Sequence, residues 1–156
     1  KDKFFNQVKK FVNSVKKKFG VNVLPQWLPP FAWYFGGSVP VDVFSHPDDL
    51  KLIKKNRIRI CMDLSHFIMS CNYYNLKPNK YLNLYKNHFS HYHFSDAKGF
   101  DGEGVLLGQG DLLRQINLKK IFNKKNKICV LETWQGHILN CENFKKDINY
   151  LIKNII

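Results

Sequence analysis

Acidic residues are scarce in this sequence, with 12 Asp and Glu against 25 Lys and Arg, which gives a formal net charge of +13. No C-x-x-C pair occurs among the 4 cysteines, and most of these lie in or beside apolar segments, as reduced buried thiols do. No apolar run approaches the roughly 20 residues of a membrane span, and the first residues form an amphipathic pattern rather than a signal peptide. These absences predict a cytoplasmic protein without a membrane partner.

The excess of basic residues does not by itself indicate a nucleic-acid-binding protein. Lysines are scattered through nearly every segment, together with many Asn, Ile and Tyr residues, which is typical of a compositional bias. A nucleic-acid surface stays open as a less favoured alternative. The 156 residues are 44% hydrophobic and 15% aromatic, which suffices for the core of one domain. We expect a single structural unit over residues 1–156.

Short apolar runs alternate with helical patterns along the chain. Helices are predicted over 4–19, 45–56, 65–74, 78–87, 111–123 and 142–155, and strands over 21–24, 57–62, 89–94 and 127–132. Ser45 or His46 is the predicted N-cap of the second helix, with Pro47 at its first position. In the last helix, the predicted buried residues are Phe144, Ile148, Leu151, Ile152 and Ile155. This alternation predicts an α/β fold built of parallel βα units.

A side chain that can bind metal follows each of the last three predicted strands. Asp63 ends the first of these, His93 and Asp96 end the second, and Glu132 ends the third. Each has an ordinary structural explanation when taken alone, since Asp63 could cap the next helix and Glu132 could pair with a lysine. Because the carboxyl ends of parallel strands meet at one edge of the sheet, together they predict a shared metal site.

The motifs at these strand ends resemble a known superfamily. "CMDLSH", "HYHFSDAKGFDGEGVLLGQGD" and "VLETWQGH" look like the last three strand ends of the xylose isomerase-like (β/α)8 barrels, which include sugar phosphate isomerases and epimerases and AP endonuclease family 2. The resemblance runs from about residue 21 to the end. It implies a fold like the second half of a TIM barrel, with residues 1–156 forming about four βα units of its C-terminal part.

The resemblance also implies roles for single residues. Those that resemble metal ligands are Asp63, His93, Glu132 and, where a Glu is expected, Gln26. Those implied in catalysis are Glu132, His66 and Glu103. Those implied in contacting the substrate are His66, Lys98, Trp134, His137 and Trp33. A set of nitrogen and oxygen ligands favours Mn²⁺, Mg²⁺ or Co²⁺, and Zn²⁺ is possible.

Two features depart from the superfamily pattern. Gln26 is neutral, so it binds a divalent ion more weakly than Glu and cannot act as a catalytic base. The chain is also shorter than the roughly 250 residues of a closed barrel. Either an N-terminal half-barrel is missing from the sequence, or two copies complete a barrel as a homodimer, or the chain is a relic of a full barrel.

The function implied is that of a sugar or sugar-phosphate isomerase or epimerase. A divalent metal would polarise a hydroxy-carbonyl substrate and acidify the neighbouring C–H. One alternative is a non-catalytic sugar-binding or assembly module that has lost a metal ligand, as Gln26 and the short length suggest. A second alternative is an endonuclease IV-like nuclease acting at abasic DNA, which the basic charge would suit. The loop sequence "DGEG" lacks the additional histidine that such an enzyme would need.

Overall fold

The computed structural model of the chain describes residues 1–34, 37–122 and 128–155. Its helices are Asp2–Phe19 (α1), Asp49–Asn56 (α2), Leu64–Tyr73 (α3), Pro78–Tyr85 (α4), Leu112–Gln115 (α5), Leu118–Phe122 (α6) and Ile138–Asn154 (α7), with a 3₁₀ turn at Lys86–His88. Its strands are Phe31–Tyr34 (β1), Gly37–Pro40 (β2), Ile60–Asp63 (β3), Phe89–Phe94 (β4), Asp96–Lys98 (β5), Gly102–Val105 (β6) and Ile128–Leu131 (β7). Within these ranges no helix is both long and apolar enough to cross a membrane.

A parallel sheet in the order β3-β4-β7 forms the centre of the fold. Gln26 adds one parallel bridge on the outer side of β3, where it pairs with Cys61. The sheet order therefore follows the chain order, and helices connect successive strands. This arrangement confirms the predicted parallel α/β architecture.

The two faces of the parallel sheet have different surroundings. Met62, Tyr92 and Phe94 are buried in the main hydrophobic core, together with apolar residues of the covering helices. His91 and His93 alternate with Tyr92 and Phe94 and therefore lie on the opposite face. On that opposite face Ile128 of β7 is 63% exposed. One face of the sheet is thus covered by helices, and the other is open at β7.

The first helix, α1, follows the prediction closely. Phe5 is its buried residue, and Gly20 ends the helix with a positive φ of 69°. A glycine adopts this left-handed conformation at little cost, because it has no Cβ atom. The observed helix starts two residues before the predicted one.

Two predictions near the start of the chain are wrong, namely the strand over 21–24 and the N-cap of the second helix. Residues 21–24 form no strand in the structure, and pairing with β3 begins later, at Gln26. Helix α2 begins at Asp49 with Asp48 as its N-cap, so neither Ser45 nor His46 caps it. Instead, His46 Nδ1 accepts a hydrogen bond from the Asp48 backbone N–H at 3.1 Å, within a turn that precedes the helix.

The predicted helix over 111–123 is divided into α5 and α6. Ile116 between them has an extended backbone, with φ −124° and ψ 134°. Leu112, Ile116 and Leu118 are all buried. Residues 116 and 118 would point to nearly opposite sides of a continuous helix, so the break lets both side chains enter the core.

Helix α7 has a different buried side from the one predicted. Leu139, Asn140 and Cys141 have positive φ, so the right-handed helix begins after them, close to the predicted start at 142. Leu151 is buried as predicted, but Ile148 and Ile152 are exposed. Asp147 is buried instead, because Thr133 and the Leu107 backbone donate hydrogen bonds to its carboxylate. This polar anchor turns residues 147 and 151 toward the core, and burial raises the pKa of Asp147.

Candidate metal and substrate site

Three predicted metal ligands converge at the carboxyl edge of the sheet. Asp63 ends β3, His93 lies beside it in β4, and Glu132 directly follows β7. One ligand atom from each lies within 4.8 Å of the other two, and His93 Nδ1 is 2.8 Å from Glu132 Oε1. Two carboxylates and an imidazole form a donor set that fits Mn²⁺, Mg²⁺, Co²⁺ or Zn²⁺. Burial raises the pKa of Glu132, and Asp63 nearby adds to this effect.

Asp63 combines a structural role with its place in the site. Its Oδ1 atom accepts hydrogen bonds from Ser65 Oγ at 2.7 Å and from the His66 backbone N–H at 3.1 Å, which caps α3. Its Oδ2 atom lies on the other side, 3.3 Å from His66 Nδ1. The capping interaction orients the carboxylate and leaves Oδ2 facing the site. The helix-capping explanation is therefore confirmed, and the role of Asp63 as a metal ligand stays a prediction.

Gln26 reaches the site, but its amide nitrogen is the atom that faces it. Gln26 Nε2 donates a hydrogen bond to Asp63 Oδ2 at 3.1 Å. A glutamate here would place a second negative charge against Asp63, whereas the amide makes a favourable contact. To offer its oxygen to a metal ion, the amide would have to turn over and lose this bond. Gln26 therefore supports Asp63 directly, and its role as a metal ligand stays a prediction.

His66 and Glu103 form an ion pair beside these residues. His66 Nε2 lies 2.8 Å from Glu103 Oε2, and His66 Nδ1 lies 3.0 Å from the Trp27 carbonyl oxygen. Burial alone would lower the pKa of His66, but Glu103, Asp63 and the Trp27 carbonyl together raise it to about 9. Both ring nitrogens of an imidazolium can donate, which matches these two acceptors. His66 is thus a cation near neutral pH, suited to stabilising negative charge on oxygen.

The glycine-rich loop positions Glu103. Strands β5 and β6 pair as an antiparallel hairpin, and Glu103 lies in β6. Gly104 has a φ of 75°, and its carbonyl accepts a hydrogen bond from the Trp134 backbone N–H at 2.9 Å. A Cβ atom at Gly104 would lie 2.6 Å from the Trp134 Cβ, so only glycine fits this approach. The hairpin is thereby fastened to the loop that follows β7.

Asp96 does not belong to the cluster of Asp63, His93 and Glu132. Its carboxylate instead binds backbone groups of the same glycine-rich loop from within the core. Its side chain is fully buried. Its Oδ1 atom accepts hydrogen bonds from the backbone N–H groups of Ala97 and Leu112, and its Oδ2 atom accepts from those of Gly108 and Gly110, at 2.8–3.0 Å. The carboxylate therefore holds both ends of the segment between β5 and α5. The position of Asp96 at a strand end suggests a metal ligand, but among the described residues its carboxylate has a structural role.

Two adjoining cavities open at this edge. A small cavity of about 70 Å³ is lined by Asp63, Glu132, His66, Glu103, Ser65, Ser95, Gly104 and Trp134. A larger cavity of about 450 Å³ shares His66, Glu103 and Trp134 with it and is otherwise mainly apolar. Its volume lies within the range of small-molecule pockets, about 300–1,000 Å³. Ser65 and Ser95 are not predicted from the sequence. Each lies two residues after a predicted ligand, Asp63 or His93, and this spacing could have indicated them.

The structure brings some predicted substrate-contacting residues to these cavities and not others. Trp134 lines both cavities and is 68% exposed. Lys98 is exposed at the end of β5, and His137 is exposed at the N-terminus of α7; neither lines these two cavities. Trp33 belongs to β1, but its side chain lies outside the described part of the structure. Trp134 is therefore the substrate-contacting aromatic candidate with structural support.

This arrangement of parallel strands, covering helices and site residues at the strand ends is that of part of a (β/α)8 barrel. No protein-family model matches the chain, and no curated protein matches it. The crystal structure of the probable 3-DHS dehydratase AsbF, involved in petrobactin synthesis, from Bacillus anthracis matches with a TM-score of 0.63 and 14% identity, over 98% of this chain and 56% of that one. A D-tagatose 3-epimerase-like protein matches with a TM-score of 0.57 and 18% identity, over 97% of this chain and 55% of that one.

The chain spans about half the length of each of these two structures. It therefore has the fold of about half of a (β/α)8 barrel, as its motifs predict. At these identities the likeness concerns the fold. Substrate and activity have to be argued from the site itself.

Proposed function

We propose that the chain forms part of a divalent-metal-dependent enzyme that isomerises or epimerises a sugar or sugar phosphate. The observation that carries this proposal is the grouping of Asp63, His93 and Glu132 within 4.8 Å, beside the His66–Glu103 ion pair. Asp63 and Glu132 border the same small cavity as His66 and Glu103. The two structural neighbours, one an epimerase-like protein and one a probable dehydratase, are consistent with this class.

Asp63, His93 and Glu132 would hold the ion, which supplies Lewis-acid polarisation of a hydroxy-carbonyl group when bound. His66 would donate a proton or a charge-assisted hydrogen bond to the substrate oxygen that gains negative charge. Glu103, the partner of His66, would accept the proton from the carbon next to the carbonyl. Glu132 is the second candidate for that proton transfer. The larger apolar cavity would take the rest of the sugar, with Trp134 against one face.

Metal binding by the purified chain is the first test. The metal-free protein should bind about one Mn²⁺ per chain in a calorimetric titration, and His93→Ala should abolish this binding while circular dichroism shows a retained fold. His46→Ala is the matched control, because His46 lies outside the site and contacts the Asp48 backbone. Binding that survives in His93→Ala would refute the ligand assignment.

Proton exchange is the test of the chemistry. With Mn²⁺ present, ketohexoses and their phosphates incubated in heavy water should gain deuterium at the carbon next to the carbonyl. Glu103→Gln should reduce the rate by a factor of about 100 or more, as expected for loss of an acid–base group. Metal binding without any deuterium exchange would favour the non-catalytic module. The Gln26–Asp63 hydrogen bond supports that alternative, because it turns the amide nitrogen of Gln26 rather than its oxygen toward the site. Metal-dependent nicking of abasic duplex DNA would instead favour the nuclease alternative.

The open face of the sheet supports a further half-barrel as partner. Ile128 is largely exposed on β7, and both structural neighbours are almost twice as long as this chain. We propose that additional βα units, either from a second copy or from another segment, cover this face. Sedimentation of the 156-residue chain distinguishes the two, because a homodimer would indicate the second copy. A cytoplasmic location is proposed alongside, supported by the free cysteines Cys61, Cys71 and Cys141.

A further inference from the structure

A second group of metal-binding side chains lies one step further down the strands. Cys61, His91 and His93 each offer a ligand atom, and these three atoms lie within 4.8 Å of one another. Cys61 in β3 pairs directly with His91 in β4. All three side chains project from the sheet face opposite to Met62 and Tyr92. The group differs from the carboxylate site in composition, since it contains a thiol and no carboxylate.

Hydrogen bonding does not explain the position of His91 in this group. Its Nε2 atom is buried and has no hydrogen-bond partner among the described residues. His93 Nδ1, by contrast, lies 2.8 Å from Glu132 Oε1. The rings of His91 and His93 lie 5.0 Å apart between centroids, at 75° to each other. Buried polar atoms normally have partners, so the unpaired His91 nitrogen, aimed into this group, favours a ligand or ion there.

Cys61 also differs from the other buried cysteine, Cys71. Cys71 belongs to the main hydrophobic core, whereas Cys61 offers its sulfur atom to a group with His91 and His93.

We propose that Cys61, His91 and His93 form a binding site for a thiophilic divalent cation of the Zn²⁺ type. On binding, the thiol proton leaves to solvent, the sulfur becomes a thiolate ligand, and the two imidazoles bind through neutral nitrogens, with water in the fourth position. Zinc–sulfur and zinc–nitrogen bonds of about 2.3 and 2.0 Å place the ligand atoms roughly 3.5 Å apart. The three ligand atoms lie within 4.8 Å of one another in the structure, so small side-chain rotations would bring them to the distance that the ion requires. No carboxylate is required.

With two overlapping donor sets, the type of ligand should decide which metal ion binds in which set. His93 belongs to both donor sets, so a Zn²⁺ ion held by Cys61 and His91 would occupy a ligand of the carboxylate set. Harder Mn²⁺ and Mg²⁺ ions prefer the oxygens of Asp63 and Glu132. The inference does not rest on the proposed reaction, because it concerns the thiol and its two imidazoles alone.

Cobalt spectroscopy tests this site directly. Adding Co²⁺ to the metal-free, reduced chain should produce a thiolate-to-cobalt charge-transfer band in the near ultraviolet, which oxygen and nitrogen ligands do not produce. Cys61→Ser should lose the band and bind Zn²⁺ roughly 100-fold or more weakly, since loss of even an indirect partner of a ligand costs 10–100-fold. Cys141→Ser, which changes an exposed thiol, is the matched control and should keep the band.

Two further results decide the inference. Glu132→Gln should keep the charge-transfer band while Mn²⁺ binding is weakened, so the thiolate site and the proposed enzyme site can fail separately. If the parent chain shows no such band with excess Co²⁺, the inference is wrong, whether or not Cys61→Ser folds. A band that persists in a folded Cys61→Ser variant would also overturn it.

Discussion

Replacing Asp96 with asparagine should destabilise the chain more than almost any other single polar substitution in it. The carboxylate is fully buried and accepts four backbone hydrogen bonds, two on each oxygen. Asparagine keeps one oxygen and replaces the other with an NH₂ group. If the oxygen stays in the Oδ1 position, the new NH₂ faces the N–H groups of Gly108 and Gly110, and donor meets donor.

The magnitude follows from these two lost bonds. A hydrogen bond to a charged group contributes about 1.5–3 kcal/mol, so losing two costs about 3–6 kcal/mol. A domain of this size has a free energy of unfolding of about 5–15 kcal/mol, so the loss is a large fraction of the total. The cost should appear in folding and in the order of the loop between β5 and α5, because Gly108 and Gly110 lie in that loop and Ala97 and Leu112 lie in the elements that flank it.

Urea denaturation followed by circular dichroism measures this free energy. The matched control is Asp101→Asn, an exposed carboxylate in the same loop, which should change stability by less than about 0.5 kcal/mol. A loss below about 1 kcal/mol for Asp96→Asn would refute the assignment of Asp96 as the anchor of the loop. That result would favour the interpretation of Asp96 as a metal ligand at the end of β4.

Three other predictions concern the residues around the site. Glu103→Gln should bring the pKa of His66 down from about 9 toward its ordinary value of 6.5, as measured by NMR titration of the ring proton in metal-free protein; an unchanged pKa would contradict the ion pair. Because the folded pKa is raised, the stability that His66 contributes, at most about 3 kcal/mol, is complete below pH 6.5 and is lost as the pH rises through about 9; a denaturation series across this window checks the sign. Gly104→Ala should destabilise the chain by more than 1 kcal/mol, roughly, because its Cβ would meet the Trp134 backbone at positive φ, and equal midpoints in urea would count against this packing.

The general positions of the site could be predicted from the sequence because they depend on local patterns. An apolar run that stops at a carboxylate or an imidazole marks a strand end, and parallel strands bring such ends to one edge. Asp63, His93 and Glu132 follow this pattern in the sequence, and in the structure one ligand atom of each lies within 4.8 Å of the other two. The strand β4 was predicted with its observed bounds, Phe89–Phe94, for the same reason.

Features that depend on distant contacts could not be predicted in this way. The His66–Glu103 pair joins residues 37 positions apart, and the Asp147 anchor that rotates α7 is bonded to residues 14 and 40 positions away. Asp96 shows the limit most clearly. Its spacing from His93 suggests a ligand, but its carboxylate turns into the core, where four amide groups satisfy it. Spacing indicates which residues share a strand end, whereas hydrogen-bond partners decide which of them face the site.

The period of β4 explains why two donor sets meet at one histidine. Side chains two residues apart on a strand point to the same face and lie about 6.6 Å apart along it. His91 and His93 therefore contribute to successive levels of the open face, with Cys61 beside the lower level and Asp63 beside the upper one. Oxygen ligands stand at the strand ends, near solvent and the cavities, while the thiol lies deeper. We therefore expect an ion that enters from the cavities to meet the carboxylates of Asp63 and Glu132 first. Only an ion that strongly prefers sulfur should move inward to Cys61. The metal content of protein purified after growth with Zn²⁺ or Mn²⁺ should show which of the two proposed sites is filled.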